Sequence, residues 1–353
     1  MNSAAAAGLM VLTFVASQAL ANPRVELAKK LWEEKLAASG GKPVAADHYP
    51  TEEALVFLSA YDFTREPKYA DQATRQLEYS HGREQKGLLI TPHQVTRDYQ
   101  ARQIYNFYLG YRVLADARFL RWADDCARAM LKTIPRAKHT MAGETHTLFA
   151  AGYIDPAKPP AADAIGYAID VNQNAEIALA FTLLYHDPAS AFFLDPLARE
   201  IAYEELLASM SLQNMKTGEI PLTDYLLDQP DTLYGSYGAF SWVACQTFWR
   251  DERFDPHIRA AGKWLATKMN LAKDSQRFYP SKIDSTFISY SEAGFRMPLY
   301  WYCDVDAGKL LDALFARMPT TQATAGDPGN APSMWAWYDL LGVPRSYYLD
   351  GKR

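Results

Sequence analysis

Apolar residues recur every three or four positions along most of the chain, the spacing that gives a helix one buried face. Ala101, Ile104, Tyr105, Tyr108, Tyr111 and Val113 mark one such segment, and Phe119, Trp122, Ala123, Cys126 and Met130 mark the next. Strand-like runs are few and short, Gly87-Leu88-Leu89-Ile90 among them. The pattern predicts an all-α protein.

The predicted helices fall into pairs joined by short corners. The corners read Thr64-Arg65-Glu66-Pro67, Ala115-Asp116-Ala117-Arg118-Phe119, His186-Asp187-Pro188-Ala189, Arg250-Asp251-Glu252-Arg253-Phe254 and, more weakly, Cys303-Asp304-Val305-Asp306. In the first four an acid stands near the corner, placed to cap the second helix, with an aromatic a few residues on. The expected pairs are 51–62/67–80, 97–115/117–134, 172–186/195–213, 237–250/256–270 and 292–303/305–318. A sixth joins 333–342 to an N-terminal helix over 24–38. Such pairs cannot bury their faces alone, whereas a closed ring of them can. Tetratricopeptide solenoids need a tight repeat of about 34 residues, which these uneven links lack. The arrangement resembles the (α/α)-toroid carbohydrate-active enzymes, the six-hairpin glycosidases and polysaccharide lyases. That resemblance covers most of residues 24–345 and implies a toroid of about six hairpins.

The N-terminus reads differently. The apolar run Leu9–Val15 is followed by Ala19-Leu20-Ala21, an A-x-A cleavage site, although the first eight residues hold no Lys or Arg. Residues 1–21 are therefore expected to be a secretory signal peptide, with 22–353 forming one toroid catalytic domain in the periplasm or outside the cell.

Composition narrows the chemistry. The 353 residues include 36 basic and 41 acidic side chains, a formal charge of −5, and no segment is strongly basic, which argues against duplex nucleic acid as a partner. No later apolar run reaches the length of a membrane span. Three cysteines without a C-x-x-C and seven scattered histidines give no metal-ligand spacing, so neither metal nor cofactor is expected. The P-loop, H-E-x-x-H, G-x-S-x-G and G-x-G-x-x-G motifs are missing from the sequence.

In a hairpin ring, the links that enter the inner helices surround one mouth. Here those links, 80–97, 139–170, 215–236 and 273–291, are long and polar-aromatic, and loops on a rigid scaffold carry function. Around 168–178 polar residues alternate into an apolar helix. Asn172 and Glu176 share one face at i, i+4, and so do Asp170 and Asn174. Tyr234 and Tyr237, with Trp242 below, are separated by small residues; Gly235 and Gly238 permit close approach of a substrate chain. Tyr290, Glu292 and Arg296 open another helix, and His93, Arg97, Asp98 and Arg102 a fourth.

Two chemistries compete for these residues. β-Elimination on a uronic acid needs a group that neutralises the carboxylate and an acid–base pair. The resemblance implies an Asn/His/Tyr/Arg set for it, which Asn172, Asn174, His93, His146 and Tyr237 would supply. Arg97, Tyr234, Trp242, Tyr290, Glu292 and Arg296 would then bind substrate. Glycoside hydrolysis needs carboxylates, with Asp170 as the centre and Asp98, Asp224 or Glu292 as its partner. Tyr, His and Asn outnumber paired acids at the entrances, so a polysaccharide lyase is the first expectation and a hydrolase the second. A non-catalytic carbohydrate-binding envelope protein is the third.

Overall fold

The computed structural model describes residues 22–46, 49–90, 96–141, 143–151, 168–268, 270–271, 287–288, 290–317 and 331–352. The expected leader, residues 1–21, lies outside them. The elements in chain order are α1 (Pro23–Ser39), a 3-10 turn (Glu52–Ala54), α2 (Leu55–Thr64), α3 (Pro67–Gly82), α4 (Arg97–Leu114), α5 (Ala117–Thr133), α6 (Val171–His186) and α7 (Pro196–Ser211). They continue with α8 (Thr232–Trp249), α9 (Asp255–Ala266), α10 (Tyr290–Tyr302), α11 (Gly308–Arg317), a 3-10 turn (Ala331–Met334), α12 (Trp335–Leu340) and α13 (Arg345–Asp350).

The even-numbered helices form an inner ring. Helix α2 packs on α4, α4 on α6, α6 on α8, and α8 on α10. Helix α10 meets the Ala331–Met334 turn, which returns with α12 to α2. Outside, α3, α5, α7, α9 and α11 each pair with the inner helix before them. The molecule is thus an all-α toroid of helical hairpins, as the sequence predicts. Helix α6 is buried on nearly every side, as a helix apolar all round must be. Its neighbour α5 buries a stripe, Phe119, Leu120, Ala123, Cys126, Ala127 and Met130, and turns polar residues outward.

The seam is closed by the N-terminal helix. Asn22 caps α1 by accepting the Arg24 N–H. Trp32 then packs edge-on against Trp335 at 5.3 Å and against Phe63 and Tyr69. Ser59 donates to the Ser333 carbonyl and accepts from the Ala336 N–H, stitching α2 to α12. Trp32 and Trp335 are almost fully enclosed, and burying a large apolar side chain contributes about 1.5–3 kcal/mol.

The corners use a device that composition does not announce. Helices α2, α4 and α8 end in Arg65, Ala115 and Arg250 with φ of 61°, 55° and 52°, and Asp304 after α10 has φ 60°, all left-handed positions held by residues other than glycine. Asp116 caps α5 as expected. At the third corner the cap is Asp195, while Asp187 accepts the Ala189 N–H and the Tyr108 hydroxyl. Glu66 holds the N-cap position of α3 without a side-chain bond.

Part of one expected loop forms a hairpin. Arg136–Met141 and Glu144–Phe149, at the start of the link 139–170, pair antiparallel as β3 and β4, following the two-residue strands β1 (Glu84–Gln85) and β2 (Leu88–Leu89). Leu148 and Phe149 bury against the helices, and Gly143 takes φ 87° at the turn. The short β5 (Asn270–Leu271) and β6 (Phe287–Ile288) pair in parallel.

Candidate functional site

The inner helices start at one end of the ring, and several side chains near their starts meet there through the contacts that follow. Glu52, Asp98, Arg102, Tyr105, Asn172, Glu176, Tyr237 and Phe240 retain between 3% and 8% exposure, whereas the flanking Gln103, Asn174 and Ser236 have none. The spacing 98/102/105, 172/176 and 237/240 is one face of each helix. These positions define tiers about one helical turn, ~6 Å, apart.

Asp98 and Asn172 stand in the first tier. Among the described residues the Asn172 amide has no hydrogen-bond partner, although the residue is buried. The second tier is charged. The Arg102 guanidinium donates to both Glu176 oxygens at 3.0 and 2.9 Å and to Glu52 at 2.6 Å. Tyr49 lies against one side of it, 4.2 Å from ring centre to guanidinium carbon, and Tyr237 lies 5.4 Å away. The Tyr49 hydroxyl donates to Asp98 at 3.2 Å. Beneath lies an aromatic tier whose contacts run Tyr237–Phe295 (4.3 Å), Phe295–Phe240 (5.4 Å), Phe240–Trp337 (5.7 Å) and Trp337–Tyr105 (5.7 Å).

Among the described residues Glu52 and Glu176 both pair with the Arg102 guanidinium in a buried setting, with Asp98 one turn above. Burial pushes the Glu176 carboxyl up to about 7, with the charges of Asp98 and Glu52 adding and Arg102 opposing. Burial also pushes the Tyr49 and Tyr105 phenols up, away from phenolate.

A second cluster lies behind the first. Arg97 is fully enclosed and donates to Gln173, to the Phe149 and Ala168 carbonyls, to Asp170 at 3.1 Å and to Asn174. Asn174 also accepts the Asp170 N–H and donates to Glu205, which accepts the Phe149 N–H. This network fastens the β3–β4 hairpin and the start of α6 to α4 and α7.

The expected site residues therefore divide. Asn172 and Tyr237 face the axis. Asn174, Asp170 and Arg97 serve the second cluster, because their polar atoms are taken up by protein. His146 pairs with Glu204 at 3.2 Å and Glu144 at 3.5 Å, turned toward α7, and His139 pairs with Asp224 at 2.9 Å. Trp242 is fully buried and donates to Ser209 of α7. Arg296 is fully buried and donates to Ser236, Tyr300 and the Leu265 and Lys268 carbonyls. These two cannot reach a ligand on the axis. Tyr234 is half-buried beside Tyr237. His93 lies outside the described residues, as do the side chains of Tyr290 and Glu292. Gly235 and Gly238 admit protein: a Cβ on Gly238 would sit 2.6 Å from Val171, so this glycine lets α8 close on α6. Glu52 and Tyr49 were not singled out, since they precede α2 in an ordinary acidic stretch; the paired Glu52-Glu53 ahead of an apolar helix was the available signal. The cysteines are free thiols, and among the described residues no group of His, Cys, Asp and Glu is placed to hold a metal.

No protein-family model and no curated protein sequence matches the chain. Solved structures share its fold. An alpha-1,6-mannanase, GH76A of Salegentibacter sp., superposes with a TM-score of 0.58 at 13% identity, over 93% of this chain and 98% of that one. Cellobiose 2-epimerase from Bacillus thermoamylovorans gives 0.57 at 12%, over 84% and 87%. A D-mannose isomerase gives 0.55 at 12%, over 84% and 86%. These similarities place the chain among the (α/α)-toroid folds, and the neighbours are carbohydrate-active enzymes. Among the described residues no helix is long and apolar enough to cross a membrane.

Proposed function

We propose that this protein is an exported carbohydrate-active enzyme that hydrolyses glycosidic bonds in a neutral glycan. The observation that carries the reading is the axial tier in which Glu176 and Glu52 share Arg102 beneath Asp98. Burial raises the Glu176 carboxyl against the pull of Arg102, and a raised carboxyl suits general acid work. In this reading Glu176 gives its proton to the glycosidic oxygen as the C–O bond breaks. Asp98, one turn nearer the mouth, takes a proton from the water that adds to the sugar carbon. Asn172 supplies a hydrogen bond to a sugar hydroxyl, and Tyr237 an aromatic edge.

The charge balance favours this over β-elimination. A uronate needs a cation to spare. Among the described residues Arg97, Arg102 and Arg296 are bound by acceptors of the protein itself. The fold neighbours support carbohydrate chemistry, being hydrolases, an epimerase and an isomerase by name.

The test is incubation with neutral glycans and polyuronates. New reducing ends from a neutral glycan, without the absorbance of an unsaturated uronate, are expected. Unsaturated products from a polyuronate would overturn hydrolysis and restore the lyase. Export is checked separately: the mature protein should begin at Asn22, and mature protein in the cytosol still starting at Met1 would refute it.

A further inference from the structure

We infer that the axial site is a blind pocket admitting one end of a saccharide, so that the enzyme works on chain termini or small sugars and not on the interior of a polymer. The inference rests on the carbohydrate reading above and adds the mode of attack.

The wall is the first argument. Around the ring neighbouring inner helices are joined by direct contacts. Arg102 bridges α4 to Glu52 before α2 and to α6. Val171 of α6 meets Gly238 of α8 too closely for a Cβ between them. Tyr237 of α8 packs on Phe295 of α10. Phe295 reaches α12 through Phe240 and Trp337, and Ser59 ties α2 back to Ser333. Among the described residues these contacts leave a polymer lying across the molecule no lateral path to Glu176.

The floor is the second argument. Tyr105, Phe240, Phe295 and Trp337 meet edge-to-face at 5.4–5.7 Å beneath the charged tier. Further along the same helices Leu109, Leu183 and Ala244 are fully enclosed. A ligand that enters between Asp98 and Asn172 passes the charged tier about one turn down, ~6 Å, and then meets aromatic rings. That depth suits one sugar ring standing on its apolar face, with its hydroxyls at the Asn172, Asp98 and Glu176 level. The catalytic groups are thus reached by a terminal residue, while the remainder of a chain stays outside the mouth.

The wild-type protein suffices for the test. Tri- to hexasaccharides of mannose, glucose and xylose, and the matching polymers, are incubated and sampled from the earliest times. Monosaccharide is expected as the first product from every oligosaccharide that is cleaved, with polymer viscosity falling only in proportion to sugar released. Mid-length fragments at early times, with a collapse in viscosity, would overturn the pocket while leaving hydrolysis standing. Conversion of a terminal or free sugar without cleavage would support the pocket and overturn hydrolysis. If none of these saccharides is converted and none binds by calorimetry, the carbohydrate reading falls and the pocket assignment with it.

Discussion

Arg97 and Arg102 sit on the same helix, five residues apart, and each binds side chains at the start of α6. Five residues turn a helix by about 140°, so the two guanidiniums leave it on different faces. Arg97 points into the wall, where two carbonyls, two amide side chains and Asp170 take up its donors. Arg102 points to the axis, where among the described residues it pairs with two carboxyls, Glu52 and Glu176, below Asp98. In the proposed reading the same residue types make a strut in one place and a proton-holding site in the other. What differs is what surrounds the guanidinium.

The largest expected effect separates the two directly. Glu176→Gln keeps the shape and removes the acid, so turnover should fall by about 10²–10⁴-fold, the scale of lost general acid catalysis, with the fold retained. Activity within a few-fold of wild type would show the axial cluster to be a second strut. On the other side, Arg97→Met leaves Asp170 and two buried carbonyls unpaired. Removing one partner of a buried ion pair costs about 3–5 kcal/mol, so denaturant unfolding should show a loss of that order. A loss below 1 kcal/mol would mean that water or rearrangement replaces the strut.

This division explains what the sequence could and could not tell. The hairpin ring was legible because corners recur and because periodicity reports which helices are buried all round, as in α6. The i, i+4 pairing of Asn172 with Glu176, and of Asp170 with Asn174, was legible too, and it defines the two faces found. Which face met the axis was not, since helical phase relative to a ring axis is fixed by the neighbours. So Asn174, Asp170 and Arg97 read like site residues. Trp242 and Arg296 were misread for the same reason: an aromatic or a cation at a helix entrance looks alike whether it faces the cavity or the outer layer. The β3–β4 hairpin escaped because Arg136–Met141 is polar and stays half-exposed, held as the partner of β4, which packs on α7.

The two clusters also differ in how their titration reaches function. Burial lifts Glu176 from the ordinary 4.5 to about 7. Between those values the folded protein keeps a proton that the unfolded chain has released, so this contribution to stability is full below the ordinary value and is lost as pH rises through about 7. Buried Glu205 and Asp170 are raised in the same sense, so the slope of stability against pH is not Glu176's alone. The difference between wild type and Glu176→Gln isolates it. That difference should favour wild type progressively less as pH rises from 5 to 8, by roughly 1 kcal/mol or more across the titration. Turnover should fall over the same range, because the acid is losing its proton. A wild-type rate that keeps rising above pH 8 would remove Glu176 from the acid role.

The smallest effect is the most discriminating, because it compares two asparagines two residues apart. Asn174 and Asn172 leave α6 about 200° apart. Asn174 is saturated by Asp170, Arg97 and Glu205, so Asn174→Ala strands a buried carboxylate and should cost about 1–3 kcal/mol. Asn172 faces the first tier with its amide unengaged by the described residues, so Asn172→Ala should change stability by less than about 0.5 kcal/mol. Its cost should appear only with substrate present. Losing one hydrogen bond of about 0.5–1.5 kcal/mol would lower kcat/KM by roughly 2- to 12-fold. A stability loss at Asn172 comparable to that at Asn174 would place both amides in the wall. A neutral Asn172→Ala in both assays would mean that the sugar does not reach the first tier along this face of α6, and the entrance would then have to be sought between α8 and α10.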